Sequence, residues 1–307
     1  MAAANNLAVA AEVWRGAIPV CFRSGDERPM YAMVPRLAYL PMLHGRLTRH
    51  FQRDRVDEAA SDVVGQGDQA PSLEVSQYFA AVSPARSAGD AAEAGPASAG
   101  AVGGEALWFT DGASGAPVAW DLPLGAAHDA ALLRGPVRLP WELVAHFGGA
   151  PADHVPCDGP GECFRAFFHS LKQAVHLERG TARAALAMPR VDQEALWKAL
   201  DEGDRSAFAA RDLAPSDAPR NVPVRVLFRE GPLLQIPMAP SDATAGARSL
   251  ADALAPPVRA KLGADLGDVV VTAHGVPLPW DLPLLDAWRN LHYGDRFLYL
   301  AVDRAPA

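Results

Sequence analysis

The residues best suited to chemistry are three cysteines, two of which lie near histidines in the sequence. Cys157 and Cys163 are separated by five residues, with His154 and His169 close by. This spacing matches no common zinc pattern, and the interval is rich in Asp, Gly and Pro, as loops are. Cys21 lies in the apolar run AIPVCF, which is typical of a core position. We therefore predict free thiols, with a thiol enzyme that uses Cys21 or Cys163 as the alternative.

The sequence GASG at 112–115 places Ser114 next to glycine, as a nucleophilic serine would require. It falls short of the G-x-S-x-G motif, and it lies between two strand-like segments instead of between a strand and a helix. A hairpin turn is the better interpretation. The sequence also has no phosphate-binding loop and no dinucleotide fingerprint. We therefore predict a binding protein with no catalytic residues, no cofactor and no metal ion.

Composition narrows the remaining classes of protein. The chain of 307 residues has a formal net charge of −8, which argues against nucleic acid as a partner, because nucleic-acid binding relies on clustered lysine and arginine. No apolar run approaches the roughly 20 residues of a membrane-spanning helix. Three cysteines are too few for a disulfide framework, so we predict a cytoplasmic protein in a reducing compartment. The only lysines are Lys172, Lys198 and Lys261.

The first part of the chain contains short strand-like segments around a break in composition. The stretch at about 54–105 has too few large apolar residues to offset the entropy of ordering, so we predict a disordered insertion. Apolar spacings of three and four predict an amphipathic helix over 36–51. A short apolar segment lies before the last strand. An N-terminal helix is expected to pack on this domain, and contact of that helix with a membrane is the alternative. The strands are predicted at 17–22, 31–34, 106–110, 117–120 and 142–147.

A helical period replaces the strand pattern after residue 154. One helix carries a phenylalanine-rich face and ends at Gly180. Asp192 and Asp204 could each cap a further helix. The strand pattern returns at residue 222. Strands are predicted at 222–228, 233–238, 269–272 and 297–302, with helices at 250–254 and 284–291.

Both strand-rich parts have the order of elements of a β-grasp. We therefore predict an α+β protein in which two ubiquitin-like (β-grasp) domains flank a small helical-bundle region. The predicted boundaries are 1–153 for the N-terminal helix and first domain, 154–217 for the helical region, and 218–307 for the second domain.

Several strings, in the same order along the chain, resemble the autophagy-related protein 5 family. Together they cover the chain except for the insertion and the extreme ends. Two further strings, HGVPL and YGDRFLYLAV, resemble the family more weakly. The strings are VWRGAIPVCF (13–22), PRLAYLPMLHGRLTRHFQ (35–52), APVAWDLPLGAAHD (116–129), LPWELVAHF (139–147), SLKQA (170–174) and DQEALWKAL (192–200).

This resemblance implies a scaffold without its own active site. Family members receive the ubiquitin-like autophagy-related protein 12 on one lysine through an isopeptide bond, and they bind the N-terminal part of autophagy-related protein 16. The assembly acts like a ligase that promotes transfer of autophagy-related protein 8 to phosphatidylethanolamine. A peripheral location at the preautophagosomal, or phagophore, membrane follows from that role. A β-grasp adaptor in an unrelated pathway is the alternative.

The resemblance also places the acceptor lysine three residues beyond the glycine that matches Gly180, where this chain has Arg183. A guanidinium stays protonated near neutral pH and is a poor nucleophile, so Arg183 cannot replace a lysine. One hypothesis is that protein 12 binds here without a covalent bond. A second hypothesis is that a different lysine, Lys172 or Lys198, is the acceptor. A third is that the alignment with the family has a different register here, or that the protein has lost this function.

Overall fold

The computed structural model describes residues 2–52, 106–152, 154–213, 216, 218–242 and 246–305. The predicted insertion at about 54–105 therefore lies outside the described residues. Within them, two five-stranded mixed sheets and a set of helices form the α+β architecture that the sequence predicts. No helix in these ranges combines the length and apolar character needed to span a membrane.

The first sheet has the strand order β2-β1-β5-β3-β4. Strands β1 and β5 are parallel at its centre, and the other pairs are antiparallel. Alternation along the strands turns one face toward the core, where Val20, Phe22 and Leu143 are buried. The strands are β1 (Ala17–Arg23), β2 (Met30–Pro35), β3 (Leu107–Asp111), β4 (Pro117–Val118) and β5 (Trp141–Phe147).

The helix that follows β2 is shorter than the sequence predicts. Tyr39 is extended, Leu40–Leu43 forms a 3₁₀ turn, and helix α2 spans His44–Phe51. Pro41 has no N–H to donate, so a helix that began at residue 36 could not form the hydrogen bond from residue 41 to the carbonyl of residue 37. The predicted helix over 36–51 is therefore wrong at its start, although its apolar positions are buried as expected.

Helix α3 (Leu124–Arg134) occupies the short apolar segment for which the sequence predicts no structure. It contacts β2 of the first sheet and three strands of the second sheet. Because most of its residues are buried, including Ala126 and Ala131, it has no polar face that would reveal a helical period.

Helix α1 (Ala2–Arg15) is the N-terminal helix that the sequence predicts to pack on the first domain, and its contacts extend to the other two parts of the chain. It contacts helix α9 (Leu284–Leu291) of the second strand-rich part. The ring of Trp14 lies 4.9 Å from the ring of Phe208 in the helical region. The N-terminal helix thus contacts the two other parts of the chain.

The helical region follows the first sheet. Helix α4 ends at Gly180 as predicted, and the left-handed backbone there (φ 75°) suits glycine. Asp204 caps α7 as predicted, whereas Asp192 caps nothing: Pro189 precedes α6, and Asp192 lies in its first turn. The helices are α4 (Pro160–Arg179), α5 (Arg183–Leu186), α6 (Arg190–Glu202) and α7 (Arg205–Ala209).

The second sheet repeats the arrangement of the first. Its strand order is β11-β10-β12-β6-β7, with β6 and β12 parallel at the centre. Both predicted β-grasp units are therefore confirmed. The elements are β6 (Val222–Phe228), β7 (Leu234–Met238), a small hairpin of β8 (Ser241–Asp242) and β9 (Gly246–Ala247), α8 (Leu250–Leu262), the 3₁₀ turn Leu266–Asp268, β10 (Val269–Ala273), β11 (Val276–Pro277), α9 as above, and β12 (Leu298–Arg304).

Strand β6 is buried along its whole length. Val224 and Val226 face the core beneath α9, whereas Leu227 belongs to the larger core shared by the first domain and the helical region. Helices α3 and α4 both contact β6. The second sheet is therefore covered on both faces, which explains why VPVRVLF is almost continuously apolar.

Candidate functional site

The candidate region for attachment of protein 12 lies around the end of α4. The Gly180 N–H donates to the His176 carbonyl at 2.8 Å, which closes the helix. The chain then turns through Thr181, whose hydroxyl accepts the Arg183 N–H at 3.3 Å. Arg183 is the first residue of the short helix α5 and is exposed. A partner protein can therefore reach this position.

Lys172 lies two turns before the end of α4, in a shallow cleft of about 360 Å³ between that helix and β7. The residue is half-buried, and imidazole and amide side chains line the same cleft. Gln173 donates to the His169 Nε2 at 2.9 Å, so that nitrogen acts as an acceptor. The lining residues are His169, Lys172, Gln173, His176, Leu177 and Gln235.

The other two lysines lie in different surroundings. Lys198 is on α6, exposed, and its Nζ is 3.7 Å from a Glu202 carboxylate oxygen. Lys261 is exposed in the last turn of α8, in the second ubiquitin-like unit. Neither lines the cleft that contains Lys172, so the structure does not gather the candidate acceptors into one site.

A buried charge network joins α4 to the second sheet. Arg225 Nη1 donates to the Tyr299 hydroxyl at 2.6 Å, and that hydroxyl donates to Asp295 at 2.7 Å. Arg225 Nη2 reaches Gln173 on α4 at 3.1 Å. The guanidinium lies 3.8 Å from the centre of the Phe297 ring. Burial raises the pKa of Asp295, and the adjacent guanidinium opposes that shift.

A second buried ion pair fixes the same helix. Glu178 accepts hydrogen bonds from Arg296 Nη2 at 2.9 Å and Nε at 3.1 Å, and neither side chain is exposed. Arg296 Nη1 also donates to the Leu213 carbonyl at 2.6 Å. Burial raises the pKa of the neighbouring Asp212 to about 6, and the Arg296 charge limits that rise.

A third network joins the two ubiquitin-like units. Arg36, which follows β2, pairs with Asp129 on α3, and Asp129 Oδ2 accepts the Gly275 N–H at 3.1 Å. His274 stacks on Tyr293 with ring centres 4.3 Å apart and donates from Nε2 to the Leu291 carbonyl at 2.9 Å. Burial lowers the pKa of His274 to about 4, and the Arg36 charge adds to that effect.

The cysteines have the character of core residues. Cys157 donates from its thiol to the Gly159 carbonyl at 3.2 Å, and burial raises its pKa to about 12. Burial raises the pKa of Cys163 well above its usual value, and the neighbouring Cys157 adds to that rise. Cys21 is also buried and free. Within the described ranges no three metal-ligating side chains come together, so His154 and His169 form no ligand cluster with these thiols.

Ser114 belongs to the predicted hairpin. Its hydroxyl and N–H both donate to Asp111 Oδ1, each at 2.7 Å, and the Trp141 indole donates to the other carboxylate oxygen at 2.8 Å. These hydrogen bonds hold Asp111 in the turn and lower its pKa against the effect of burial. The serine therefore stabilises a turn.

The buried charges at the junctions were not predicted, although the sequence contains a signal for them. Arg225 interrupts the apolar strand VPVRVLF, and Asp295 and Arg296 precede the apolar strand LYLAV. A charge inside a run that is otherwise fully apolar requires a buried partner. The partner cannot be identified from spacing, because Glu178 is 118 positions from Arg296.

Three family models match the chain in the order of its three parts. They are described as autophagy protein ATG5, UblA domain (residues 13–66), alpha-helical bundle region (162–210) and UblB domain (221–302). Together they span more than half of the chain.

Curated relatives agree with these matches. An autophagy protein 5 from Aspergillus terreus is 27% identical over 342 residues, which covers 94% of this chain and 95% of the relative. One from Arabidopsis thaliana is 34% identical over 107 residues, or 34% of this chain and 31% of the relative.

A solved structure has the same fold. The crystal structure of Kluyveromyces marxianus Atg5 superposes with a TM-score of 0.67 at 20% identity, and the match covers 97% of this chain and all of that one. Matches to all three regions, in order, together with relatives along nearly the full length, show that this chain belongs to the autophagy protein 5 family.

Proposed function

We propose that the protein is a non-catalytic scaffold of the autophagy conjugation machinery. It binds the ubiquitin-like autophagy-related protein 12 and the N-terminal region of autophagy-related protein 16. The resulting ligase-like complex promotes attachment of autophagy-related protein 8 to phosphatidylethanolamine at the phagophore membrane. Family membership supports this role, because the partners named here are those of the family.

The observation that carries the proposal is the way in which the three parts are joined. The fully buried ion pair Glu178–Arg296 joins the helical region to the second ubiquitin-like unit. Arg225 of that unit also donates to Gln173 on α4, and Asp129 of the first unit accepts the Gly275 N–H of the second. Breaking such a pair leaves an uncompensated buried charge, so separation of the parts is costly. A rigid platform of this kind suits a protein that holds partners in a fixed relation.

Attachment of protein 12 has two candidate modes. The alignment with the family places Arg183 at the acceptor position. This supports a non-covalent complex, because the guanidinium cannot attack a thioester. The surroundings of Lys172 support a covalent mode. Lys172 is on the helix that leads to Arg183 and lines an open cleft, whereas the amine of Lys198 is on α6 and lies 3.7 Å from a Glu202 carboxylate oxygen. Among the three lysines we therefore propose Lys172 as the acceptor if a bond forms.

The experiment is co-expression of the chain with its own protein 12 and the matching activating and conjugating enzymes. The same sample is run on a reducing, denaturing gel and on a sizing column. Co-elution without a shifted band supports the non-covalent mode. A shifted band that disappears in Lys172→Arg but persists in Lys198→Arg supports covalent attachment at Lys172. If the sample shows no co-elution and no shifted band, the result argues against the proposed scaffold role.

A further inference from the structure

A groove of about 670 Å³ lies between the first ubiquitin-like unit and the β6–β7 hairpin of the second. Its walls are the β3–β4 turn, helix α3 with the loop that follows it, and the turn after β6. Concave binding sites often occur at junctions of this kind. Arg183, Lys172 and Lys198 do not line it, so the groove is separate from the attachment region.

The floor of the groove is apolar. Val118, Trp141 and Leu227 are buried along it, and α3 contributes the small side chains of Ala127 and Ala130. Because these helix side chains are small, they leave space above the floor that larger side chains at the same positions would occupy. The floor can therefore take an apolar side chain from a partner.

The rim of the groove is basic. Arg134 and Arg138 are both exposed, and neither forms an ion pair with a carboxylate of the described part of the chain. Among the described residues, Arg134 makes one long hydrogen bond, 3.4 Å, to the Pro117 carbonyl. The rim carboxylate of Glu142 is already paired with Arg23 at 3.0 Å. Two guanidinium groups that no carboxylate of the described residues compensates thus border the groove, although the net charge of the chain is −8.

We propose that this groove binds an acidic peptide segment of a partner protein. One apolar side chain of the peptide enters the floor, and flanking carboxylates pair with Arg134 and Arg138. Guanidinium groups match carboxylates with two parallel hydrogen bonds, and such charge complementarity selects acidic partners. A peptide fits better than a membrane, because a flat bilayer surface cannot reach a floor between two walls. This inference goes beyond the proposed function and does not depend on binding of protein 12 or protein 16.

The test uses the full chain and fluorescein-labelled peptides of 12 residues, each with one Leu or Phe flanked by Asp and Glu. Fluorescence polarisation measures their affinity. Matched peptides replace the acidic residues by Asn and Gln, or the apolar residue by Ser. We expect the acidic, apolar peptides to bind most tightly, and both replacements to weaken binding by about tenfold or more.

Variants of the chain locate the binding site. Arg134→Glu and Arg138→Glu should each weaken binding by about tenfold, whereas Arg165→Glu, an exposed charge reversal on α4, should leave it unchanged. Ala130→Phe should narrow the floor and weaken binding without any change in charge. Thermal unfolding of each variant checks that the fold is retained.

Several results would overturn the proposal. Equal affinity for the neutral peptides would show that the carboxylates do not contribute to binding. An equal loss of affinity in Arg165→Glu would show non-specific charge attraction. Unchanged binding by a folded Ala130→Phe variant would exclude the floor as the anchor site. A concentration-dependent dimer that Arg134→Glu abolishes, seen by sedimentation without peptide, would assign the groove to a second copy of the chain.

Discussion

Glu178 and Arg296 form an ion pair with no solvent exposure on either side chain, although 118 positions separate them in the chain. The pair connects the last full turn of α4 to the turn before β12. Glu178 Oε1 also accepts the Ser216 N–H at 2.6 Å, so the same carboxylate fixes the chain that leads into the second sheet. The junction between helical region and second sheet is therefore sensitive to single substitutions.

Glu178→Gln should lower the free energy of unfolding by up to about 3–5 kcal/mol, because it removes the buried carboxylate that pairs with Arg296 and leaves only Asp212, 3.3 Å from Nη1, to compensate that charge. Denaturant unfolding at pH 7 measures the change. Glu202→Gln is the matched control, since Glu202 pairs with Lys198 on the surface, and it should change stability by about 0.5 kcal/mol or less. Equal effects of the two substitutions would contradict the importance of the buried pair.

His274 should make the protein sensitive to mild acid. Its pKa in the folded state is about 4, below the value near 6.5 of an unfolded chain. The unfolded state therefore takes up more protons between these values, and stability should fall as the pH drops from 6.5 toward 4, by up to about 3 kcal/mol from this residue. Thermal unfolding across that pH range tests the trend.

His274→Asn should flatten part of this pH dependence. Asparagine has no titratable group and tolerates the left-handed backbone at this position (φ 52°). His292, whose pKa burial also lowers to about 4, should account for part of the remaining slope. An unchanged pH profile in the Asn variant would refute the assignment to His274.

Tyr299→Phe tests the network around Arg225. The lost hydroxyl bridges Arg225 and Asp295, so both buried charges lose a hydrogen bond. We expect the free energy of unfolding to fall by about 1–3 kcal/mol. Tyr31→Phe is the control, because that ring is 66% exposed on the edge strand of the first sheet. If both variants unfold like the parent protein, the bridge does not stabilise the junction.

The cysteines should resist alkylation in the folded protein. The thiolate is the reactive form, and a pKa of about 12 at Cys157 lowers its population at neutral pH on the order of a thousandfold. Cys163 should be at least as inert, because its thiol is completely buried. Mass spectrometry after iodoacetamide treatment, native against urea-unfolded, measures the rates. Rapid labelling of native Cys163 would revive the thiol-enzyme hypothesis.

Local patterns predicted the two β-grasp units because each strand turns alternate residues toward one core. The same patterns failed where contacts between parts decide the structure. Helix α3 is buried on several sides, so it shows no amphipathic period, and the start of α2 depends on how Pro41 restricts the backbone. Gln173 and Glu178 on α4 bond to Arg225 and Arg296, at sequence separations that no spacing rule covers. The predicted domain boundaries and the role of Arg183 stay predictions.

The two predicted helix caps should differ in their effect on stability. Asp204 accepts the N–H groups of Ser206 at 2.9 Å and Ala207 at 3.0 Å, so Asp204→Ala should lower the free energy of unfolding by about 1 kcal/mol. Asp192 makes no such cap and pairs with Arg211 at 3.0 Å on a partly exposed surface, so Asp192→Ala should change stability by about 0.5 kcal/mol. Denaturant unfolding of both variants decides the point. A larger loss in Asp192→Ala than in Asp204→Ala would mean that the pair with Arg211 holds α6 and α7 together more strongly than the cap holds α7.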